Sequence, residues 1–224
     1  MEPDYWHQRW ADNQIGFHQA DGEPLLAAHF SVLGLQAGHR VYVPLCGKTG
    51  DIAWLLSQGV AVVGVELSET AVKALFAGLG CEPRVSQHGE HRHYAADHID
   101  IYVGDYFTLG AADLGTVDAI YDRAALVALP PPMRARYAQH LMATTARAPQ
   151  LLITYDYDQA LVDGPPFSVP ADEVAAHYQA DYTVTPLARQ AVPTGIKGKA
   201  PAWMHAWHLQ ARAMEDAWKD GRPA

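Results

Sequence analysis

The strongest constraint on the fold is an alternation of short apolar runs with segments of helical periodicity. Residues 40–45 (RVYVPL) and 60–66 (VAVVGVE) are rich in β-branched side chains, as expected of strands that are buried on both faces. Residues 51–57 lie between these runs and carry apolar side chains at helical spacing. Residues 69–79 repeat this spacing after Ser68, which is a good N-cap. Strands that alternate with helices predict a parallel sheet covered by helices on both faces.

The alternation continues through the middle of the chain and changes near the C-terminus. Further strands are predicted at residues 99–103, 117–122 and 150–155, and further helices at residues 133–146 and after Pro170. The polar stretch between Gly80 and Ile99 is expected to be a loop. Residues 181–187 and 202–209 have no helix between them, which favours an antiparallel strand pair. We therefore expect a doubly wound, mostly parallel, seven-stranded α/β sheet of Rossmann-like type with a C-terminal antiparallel strand.

Length and composition limit the classes of protein to be considered. The 224 residues suit one α/β domain, with an N-terminal helical cover (1–36), an α/β core (37–210) and a tail (211–224). A formal net charge of −9 disfavours nucleic acid and anionic lipid as partners. Cys46 and Cys81 are too few for a disulfide framework, and no signal peptide or membrane segment is recognisable. We expect a cytoplasmic monomer.

The most specific local feature is the loop VYVPLCGKTGD at residues 41–51. A strand enters a glycine-containing turn and a helix leaves it, so the helix N-terminus favours an anionic or polar ligand. Glu66 follows Gly47 by 19 positions, close to the roughly 20-residue spacing at which an acid binds a ribose diol. Tyr42 stands where a phosphate-loop NTPase needs glycine, and a dinucleotide G-x-G-x-x-G fails because only Gly47 and Gly50 are present. A strand–helix connection without a ligand also fits the loop taken alone.

A second acid follows another predicted strand and favours a nucleoside site. In HIDIYVGDYF, Asp105 ends the strand and is followed by Tyr106 and a second aromatic residue. Such a carboxylate can accept a hydrogen bond from an adenine amino group while an aromatic ring packs on the base. Glu66, Asp105, Asp122 and Arg123 are expected to converge, because the carboxyl ends of parallel strands meet at one edge of the sheet. This arrangement resembles the class I S-adenosylmethionine-dependent methyltransferase fold.

Several segments are similar to the thiopurine S-methyltransferase family, of bacterial type. They are YWHQRW…GFHQ…LL (5–26), PLCGK (44–48), VVGVELSE (62–69), YDRAALVAL (121–129) and YD…GPPFSVP (155–170). The usual methyltransferase glycine signature is richer than PLCGK, a departure that the family shares. The resemblance thins after about residue 186.

The resemblance implies S-methylation of small aromatic or heterocyclic thiols by S-adenosyl-L-methionine, with S-adenosyl-L-homocysteine as product. A role in detoxification, including the methylation of selenium or tellurium species, is part of this expectation. The implied donor contacts are Trp10 packing on the cofactor, Leu45 and Gly47 at its methionine and ribose parts, Glu66 at the ribose hydroxyls, Asp105 and Tyr106 at the adenine, and Arg123 near the sulfonium and the acceptor. An ion pair of Arg123 with Asp122 or with another strand-end acid is the alternative, and the two roles can coexist.

The N-terminal segment is predicted to supply an aromatic cover for this site. Trp6 and Trp10 share one face of a predicted helix, and Phe17 follows a predicted turn. Because the segment precedes the first strand, it can fold over the strand ends and leave a flat apolar slot for an aromatic acceptor. We therefore predict that Trp6 and Phe17 bind the substrate; plain core packing is the alternative.

The histidines and Cys46 do not indicate further chemistry. No metal site is expected, and the histidines that have ligand-like spacing are interpreted as solvated: His88, His91, His93, His205 and His208. Cys46, at a helix N-terminus, could have a lowered pKa, but we favour a role as a small residue beside the cofactor.

Two other classes of function stay open at this level. A non-catalytic S-adenosylmethionine-binding module would keep Gly47 and Glu66 without needing Arg123 or the aromatic cover. A nicotinamide-dependent oxidoreductase could use the same loop and Glu66, although the missing glycines disfavour it.

Overall fold

The computed structural model describes residues 3–16 and 22–213. The helices of this part are α1 (Pro3–Ala11), α2 (Pro24–His29), α3 (Asp51–Ser57), α4 (Glu69–Leu79), α5 (Ala111–Leu114), α6 (Pro131–Thr144) and α7 (Ala171–Tyr178). The strands are β1 (Arg40–Pro44), β2 (Ala61–Glu66), β3 (Arg84–His88), β4 (His91–Ala96), β5 (Ile99–Val103), β6 (Ala119–Arg123), β7 (Gln150–Tyr157), β8 (Tyr182–Ala191) and β9 (Ala202–Ala211). Short 3-10 turns lie at Phe30–Leu33, Tyr106–Thr108 and Leu126–Ala128.

These strands form one sheet in the order β3-β4-β5-β2-β1-β6-β7-β9-β8. The five consecutive strands β5, β2, β1, β6 and β7 are parallel to one another, whereas β9 pairs antiparallel with both β7 and β8. The seven strands from β5 to β8 in this order are the seven that the sequence predicts. The mostly parallel α/β sheet with antiparallel pairing at its C-terminal side is confirmed.

The prediction of a polar loop between Gly80 and Ile99 is wrong. This stretch forms an antiparallel hairpin of β3 and β4, which pairs with β5 and extends the sheet by two strands. Every side chain of β3 is exposed, so the sequence RVSQH lacks the apolar alternation that signals a strand. Backbone pairing rather than side-chain burial therefore defines β3.

Hydrophobic clusters cover both faces of the sheet. On one face, α2, α3 and α4 pack against side chains such as Val41 and Val43 of β1, and on the other, α6 and α7 pack against side chains such as Tyr42. This two-sided burial explains the nearly continuous apolar run of β1 and confirms the doubly wound arrangement. None of the helices within residues 3–16 and 22–213 is long and apolar enough to cross a membrane.

Gly64, at the middle of β2, lies where the structure leaves no room for a side chain. A methyl group there would lie 2.9 Å from Cδ1 of Ile101, 3.0 Å from Sγ of Cys46 and 3.1 Å from the carbonyl oxygen of Val43. Because Gly64 has no side chain, Cys46 in the turn after β1 packs directly against β2. The glycine thus helps to fix the loop that follows β1.

We expect Gly64→Ala to lower the free energy of unfolding by about 1–3 kcal/mol, because the added methyl group overpacks the core. The control is Gly78→Ala on the exposed face of α4, where an added methyl group meets open space. That change should raise the free energy of unfolding by roughly 0.5–1 kcal/mol, because alanine favours helix interiors. Urea unfolding measures both variants, and equal effects of the two would contradict the packing described for Gly64.

Candidate active site

A cleft of about 790 Å³ opens at the carboxyl ends of the parallel strands. The turns after β1, β2, β5 and β6 line it, together with α1 and the loop between β8 and β9. All of the described residues predicted for the site contribute to its walls: Trp6, Trp10, Leu45, Gly47, Glu66, Asp105, Tyr106 and Arg123. Phe17 lies outside the described residues. Of the four side chains expected to converge at the strand ends, Glu66, Asp105 and Arg123 line this cleft, whereas Asp122 does not. The binding roles of the lining residues stay predictions.

The Glu66 carboxylate connects the turns that follow β1 and β2. Its Oε2 accepts a hydrogen bond of 2.9 Å from the amide of Gly47, and its Oε1 accepts one of 2.8 Å from the amide of Ser68. Burial raises the pKa of Glu66, while the amides of Ser68, Gly47 and Leu67 oppose that rise. Because each carboxylate oxygen can accept more than one hydrogen bond, Glu66 can also accept from the hydroxyls of a ribose.

The loop after β1 has a backbone shape that only a few residue types adopt easily. Leu45 and Gly47 both have positive φ angles, 46° and 54°. A side chain on Gly47 would lie 3.1 Å from Cζ2 of Trp10, so the indole packs directly on the backbone of this glycine. The N-terminal helix α1 therefore lies over the glycine loop, as predicted for the aromatic cover.

The turn after β5 presents one exposed acid and one buried aromatic ring. Asp105 caps the turn, since its Oδ1 accepts a 2.9 Å hydrogen bond from the amide of Phe107. The Tyr106 hydroxyl donates to the carbonyl oxygen of Tyr137 at 3.1 Å, and the two tyrosine rings stack with centroids 4.8 Å apart. Tyr106 thus forms a fixed part of the cleft wall, while Asp105 lies at its rim.

The interpretation of the histidines as solvated is wrong for His91, and it is also wrong for the Nε2 atoms of His205 and His208, which are buried. The side chain of His91 is buried, and its Nε2 donates a hydrogen bond of 3.0 Å to the carbonyl oxygen of Asp105. Its ring also contacts Gly104, where an added methyl group would lie 2.5 Å from Cδ2. The hairpin therefore supports the turn that carries Asp105. Within residues 3–16 and 22–213, no three or more His, Cys, Asp and Glu side chains form a metal-binding group.

Arg123 and Asp122 point to opposite sides of β6, as consecutive strand residues must. The side chain of Arg123 is 7% exposed, and its Nε lies 3.9 Å from Oε2 of Glu23. Asp122 instead accepts hydrogen bonds from the Tyr137 hydroxyl at 2.8 Å and from the amide of Leu126 at 3.2 Å. Asp122 is fully buried in the core, so its expected place at the ligand edge is wrong. It does not provide the predicted ion pair for Arg123.

Cys46 is buried beside the glycine loop. Burial raises the pKa of its thiol well above the ordinary value, and the neighbouring Glu66 carboxylate raises it further. The suggestion of a lowered pKa is therefore wrong. Its contact with Gly64 is consistent with the role of a small packing residue.

Several residues that the sequence did not single out also line the cleft: Tyr5, Arg9, Lys48, Thr49, Met133, Arg136, Tyr155, Pro165, Pro166 and the loop at 192–198. Some of these lie far along the chain from the glycine loop, and tertiary packing alone brings them to it. Pro165 and Pro166 belong to the segment GPPFSVP, which marked the family resemblance without indicating a position in the cleft.

Known proteins similar to this chain identify its family. The family model described as thiopurine S-methyltransferase (TPMT) matches residues 1–207. The chain belongs to the thiopurine S-methyltransferase family. Within this family, a "Thiopurine S-methyltransferase" of Xanthobacter autotrophicus is 53% identical over 211 residues, which cover 94% of this chain and 99% of the relative.

Solved structures support the same fold at much lower sequence identity. A SAM-dependent methyltransferase from Anabaena variabilis has a TM-score of 0.63 at 12% identity, covering 93% of this chain and 95% of the other. A 1,6-didemethyltoxoflavin-N1-methyltransferase from Burkholderia thailandensis, solved with S-adenosylhomocysteine, has a TM-score of 0.60 at 18% identity, covering 93% and 87%. The class I methyltransferase fold expected for this member of the thiopurine S-methyltransferase family is confirmed.

We expect the buried carboxyl group of Asp122 to make the free energy of unfolding depend on pH. Burial raises its pKa from 3.8 to about 6, so between these values the folded protein retains a proton that the unfolded chain has lost. The contribution of Asp122 to stability therefore falls as pH rises through this window, by about 3 kcal/mol in total. We expect Asp122→Asn to lack this fall.

Urea unfolding between pH 4 and pH 7 measures the effect. The wild-type free energy of unfolding should decrease relative to that of Asp122→Asn, whereas the exposed Asp97→Asn should follow the wild type. Parallel pH profiles for the wild type and Asp122→Asn would contradict the burial of this carboxyl group.

Proposed function

We propose that this protein transfers the methyl group of S-adenosylmethionine to the sulfur of small aromatic or heterocyclic thiols, a thiopurine S-methyltransferase activity. The observation that carries the proposal is one cleft that combines the hydrogen-bonded Glu66, the cation Arg123 and an aromatic cover from α1. Membership of the thiopurine S-methyltransferase family supports the same activity.

The residues on one side of the cleft fit the methyl donor. The Glu66 carboxylate is fixed by two backbone amides, and such an oxygen pair is suited to the two hydroxyls of a ribose. Leu45 and Gly47 would contact the methionine and ribose parts, and Trp10 would pack on the donor. Asp105 and Tyr106 would lie at the adenine. S-adenosylmethionine would supply an electrophilic methyl group on a sulfonium.

The remaining walls fit a flat acceptor. Trp6 belongs to the cover formed by α1 and lines the cleft. Tyr155, Pro165 and Pro166 line it as well, together with the loop at 192–198. Apolar and aromatic side chains of this kind bury a planar ring with little need for directed hydrogen bonds. The substrate-binding role of Phe17 stays a prediction, because it lies outside the described residues.

Methyl transfer mainly requires that the donor and the acceptor be aligned and that water be excluded from the site. In an in-line displacement, the acceptor sulfur forms a bond to the methyl carbon as the bond between that carbon and the sulfonium sulfur breaks. The acceptor must be a thiolate to attack well, and an acidic heterocyclic thiol is partly ionised near neutral pH. Arg123 would stabilise the thiolate electrostatically, so the site does not require a strong general base.

The same features favour an enzyme over the alternatives. A binding module needs neither a cationic side chain nor an aromatic cover, yet Arg123, Trp6 and Trp10 line the same cleft as Glu66. A nicotinamide oxidoreductase would need glycines that the loop lacks. We further propose a single-domain cytoplasmic monomer that acts on small molecules and not on nucleic acid, which its net charge of −9 supports. A wider role in detoxification stays a prediction.

The direct test is to incubate the protein with S-adenosylmethionine and a mercaptopurine and to analyse the products by mass spectrometry. We expect equal amounts of the methyl thioether and S-adenosylhomocysteine. Binding of S-adenosylmethionine without a thioether, across a panel of aromatic thiols, would contradict the proposal and indicate a binding module. A change of tryptophan fluorescence on adding NAD, but not S-adenosylmethionine, would indicate an oxidoreductase.

In the same assay, Arg123→Ala should lower kcat/KM for the thiol roughly tenfold to a hundredfold, because an interaction with the thiolate charge is lost. The affinity for S-adenosylhomocysteine, measured by calorimetry, should change much less. Arg189→Ala is the control, since Arg189 stacks on the exposed ring of Trp203 and does not line the cleft. Equal losses in catalysis and cofactor affinity for Arg123→Ala would leave this residue a purely cofactor-holding role.

A further inference from the structure

Glu23 is a buried acid that the chemistry described above does not use. It precedes α2, where its Oε1 accepts a hydrogen bond of 3.2 Å from the amide of Leu25. Its Oε2 is buried and has no hydrogen-bond partner among the described residues. That oxygen lies 3.9 Å from Nε of Arg123. The unsatisfied oxygen thus faces the cation to which we assign the acceptor thiolate.

The main chain of Glu23 is fixed by a second buried acid, Asp51. The amide of Glu23 donates a hydrogen bond of 2.6 Å to Oδ1 of Asp51. Oδ2 of Asp51 accepts from the hydroxyls of Thr49 at 2.9 Å and of Tyr121 at 3.0 Å. Tyr121 lies two residues before Arg123 on the same face of β6. The network therefore ties Glu23 to the strand that carries Arg123.

The Glu23 carboxylate and the Arg123 guanidinium compensate each other's buried charge. A carboxylate out of contact with water is costly unless a cation or hydrogen bonds compensate it. Burial raises the pKa of Glu23, and the amide of Leu25 and the Arg123 guanidinium oppose this rise. Arg123 is also almost fully buried, so the two side chains stabilise each other's charged forms.

We propose that Glu23 is a positioning residue for methyl transfer: its carboxylate holds Arg123 at Nε and so orients the guanidinium toward the acceptor. The inference rests on the proposed function, in which Arg123 stabilises the thiolate. An arginine side chain has many rotamers, so fixing one of them costs conformational entropy. Because the Glu23 carboxylate already holds Arg123, this cost does not arise when the thiolate binds. Glu23 does not line the cleft and so acts only through Arg123.

Two variants separate charge from shape. Glu23→Gln keeps the side-chain length and an oxygen for the amide of Leu25 but removes the charge, whereas Glu23→Asp keeps the charge and shortens the side chain. We expect Glu23→Gln to lower kcat/KM for the thiol about tenfold, with the affinity for S-adenosylhomocysteine changed less than about twofold. Glu23→Asp should lose less than Glu23→Gln. The opposite order would overturn the inference in favour of a helix-capping role.

A double-mutant cycle tests whether Glu23 acts through Arg123. In an Arg123→Ala background, Glu23→Gln should cause no further loss of kcat/KM. An equal loss in both backgrounds would overturn the inference. The control is Glu173→Gln, which removes the charge of a carboxylate 2.6 Å from the buried Arg134, outside the cleft. This control should leave the kinetic constants unchanged.

The outcomes distinguish the two proposals. A wild-type protein that methylates no thiol contradicts the proposed function itself. An active wild type with a Glu23→Gln variant of equal kcat/KM contradicts only the positioning role of Glu23. Circular dichroism of each variant shows whether a loss of activity comes from unfolding, and Glu23→Asp keeps the test decisive if Glu23→Gln does not fold.

Discussion

The hydrogen bonds from Gly47 and Ser68 to the Glu66 carboxylate are the interaction on which the rest of the site depends. They hold a buried negative charge at the ends of two neighbouring strands and fix the turn after β1 relative to the turn after β2. The backbone amides that satisfy Glu66 leave its remaining acceptor positions for a ligand. The same carboxylate thus stabilises the loop and prepares the site.

The other parts of the cleft follow from this arrangement. The backbone of Gly47, held by Glu66, provides the surface on which Trp10 packs, and this contact brings α1 over the strand ends. Two successive side chains of β6 have separate tasks because they point to opposite faces. Arg123 lines the cleft with Glu23 behind it, while Asp122 fills the core beneath Tyr137. The fold therefore places the guanidinium of Arg123 in the wall of the cleft that would take an anionic acceptor.

The sequence predicts those features that depend on residues close together in the chain. The β1–α3–β2 unit and Glu66 were predictable, because apolar runs and a fixed spacing within 30 residues define them. The hairpin of β3 and β4 was not, because backbone pairing forms it and its polar side chains carry no strand pattern. The buried position of Asp122 was available from strand alternation, which requires that it point away from Arg123.

Contacts between distant parts of the chain could not be predicted in this way. Glu23 meets Arg123 across 100 positions, and nothing in the local sequence of either residue indicates the partner. His91 likewise supports the turn at Asp105 only because the hairpin folds beside β5. Spacing rules capture neighbouring strand ends, whereas the supports behind them depend on packing in three dimensions.

The most direct test of the role of Glu66 in the cofactor site is a calorimetric titration of S-adenosylhomocysteine into the wild type and Glu66→Gln. The variant keeps the size of the side chain but removes the charge and replaces one acceptor oxygen with a donor. We predict at least about a tenfold loss of affinity, because the ribose hydroxyls and the amides of Gly47 and Ser68 all need acceptors. An unchanged affinity in a folded Glu66→Gln variant would contradict the assignment of the cofactor site.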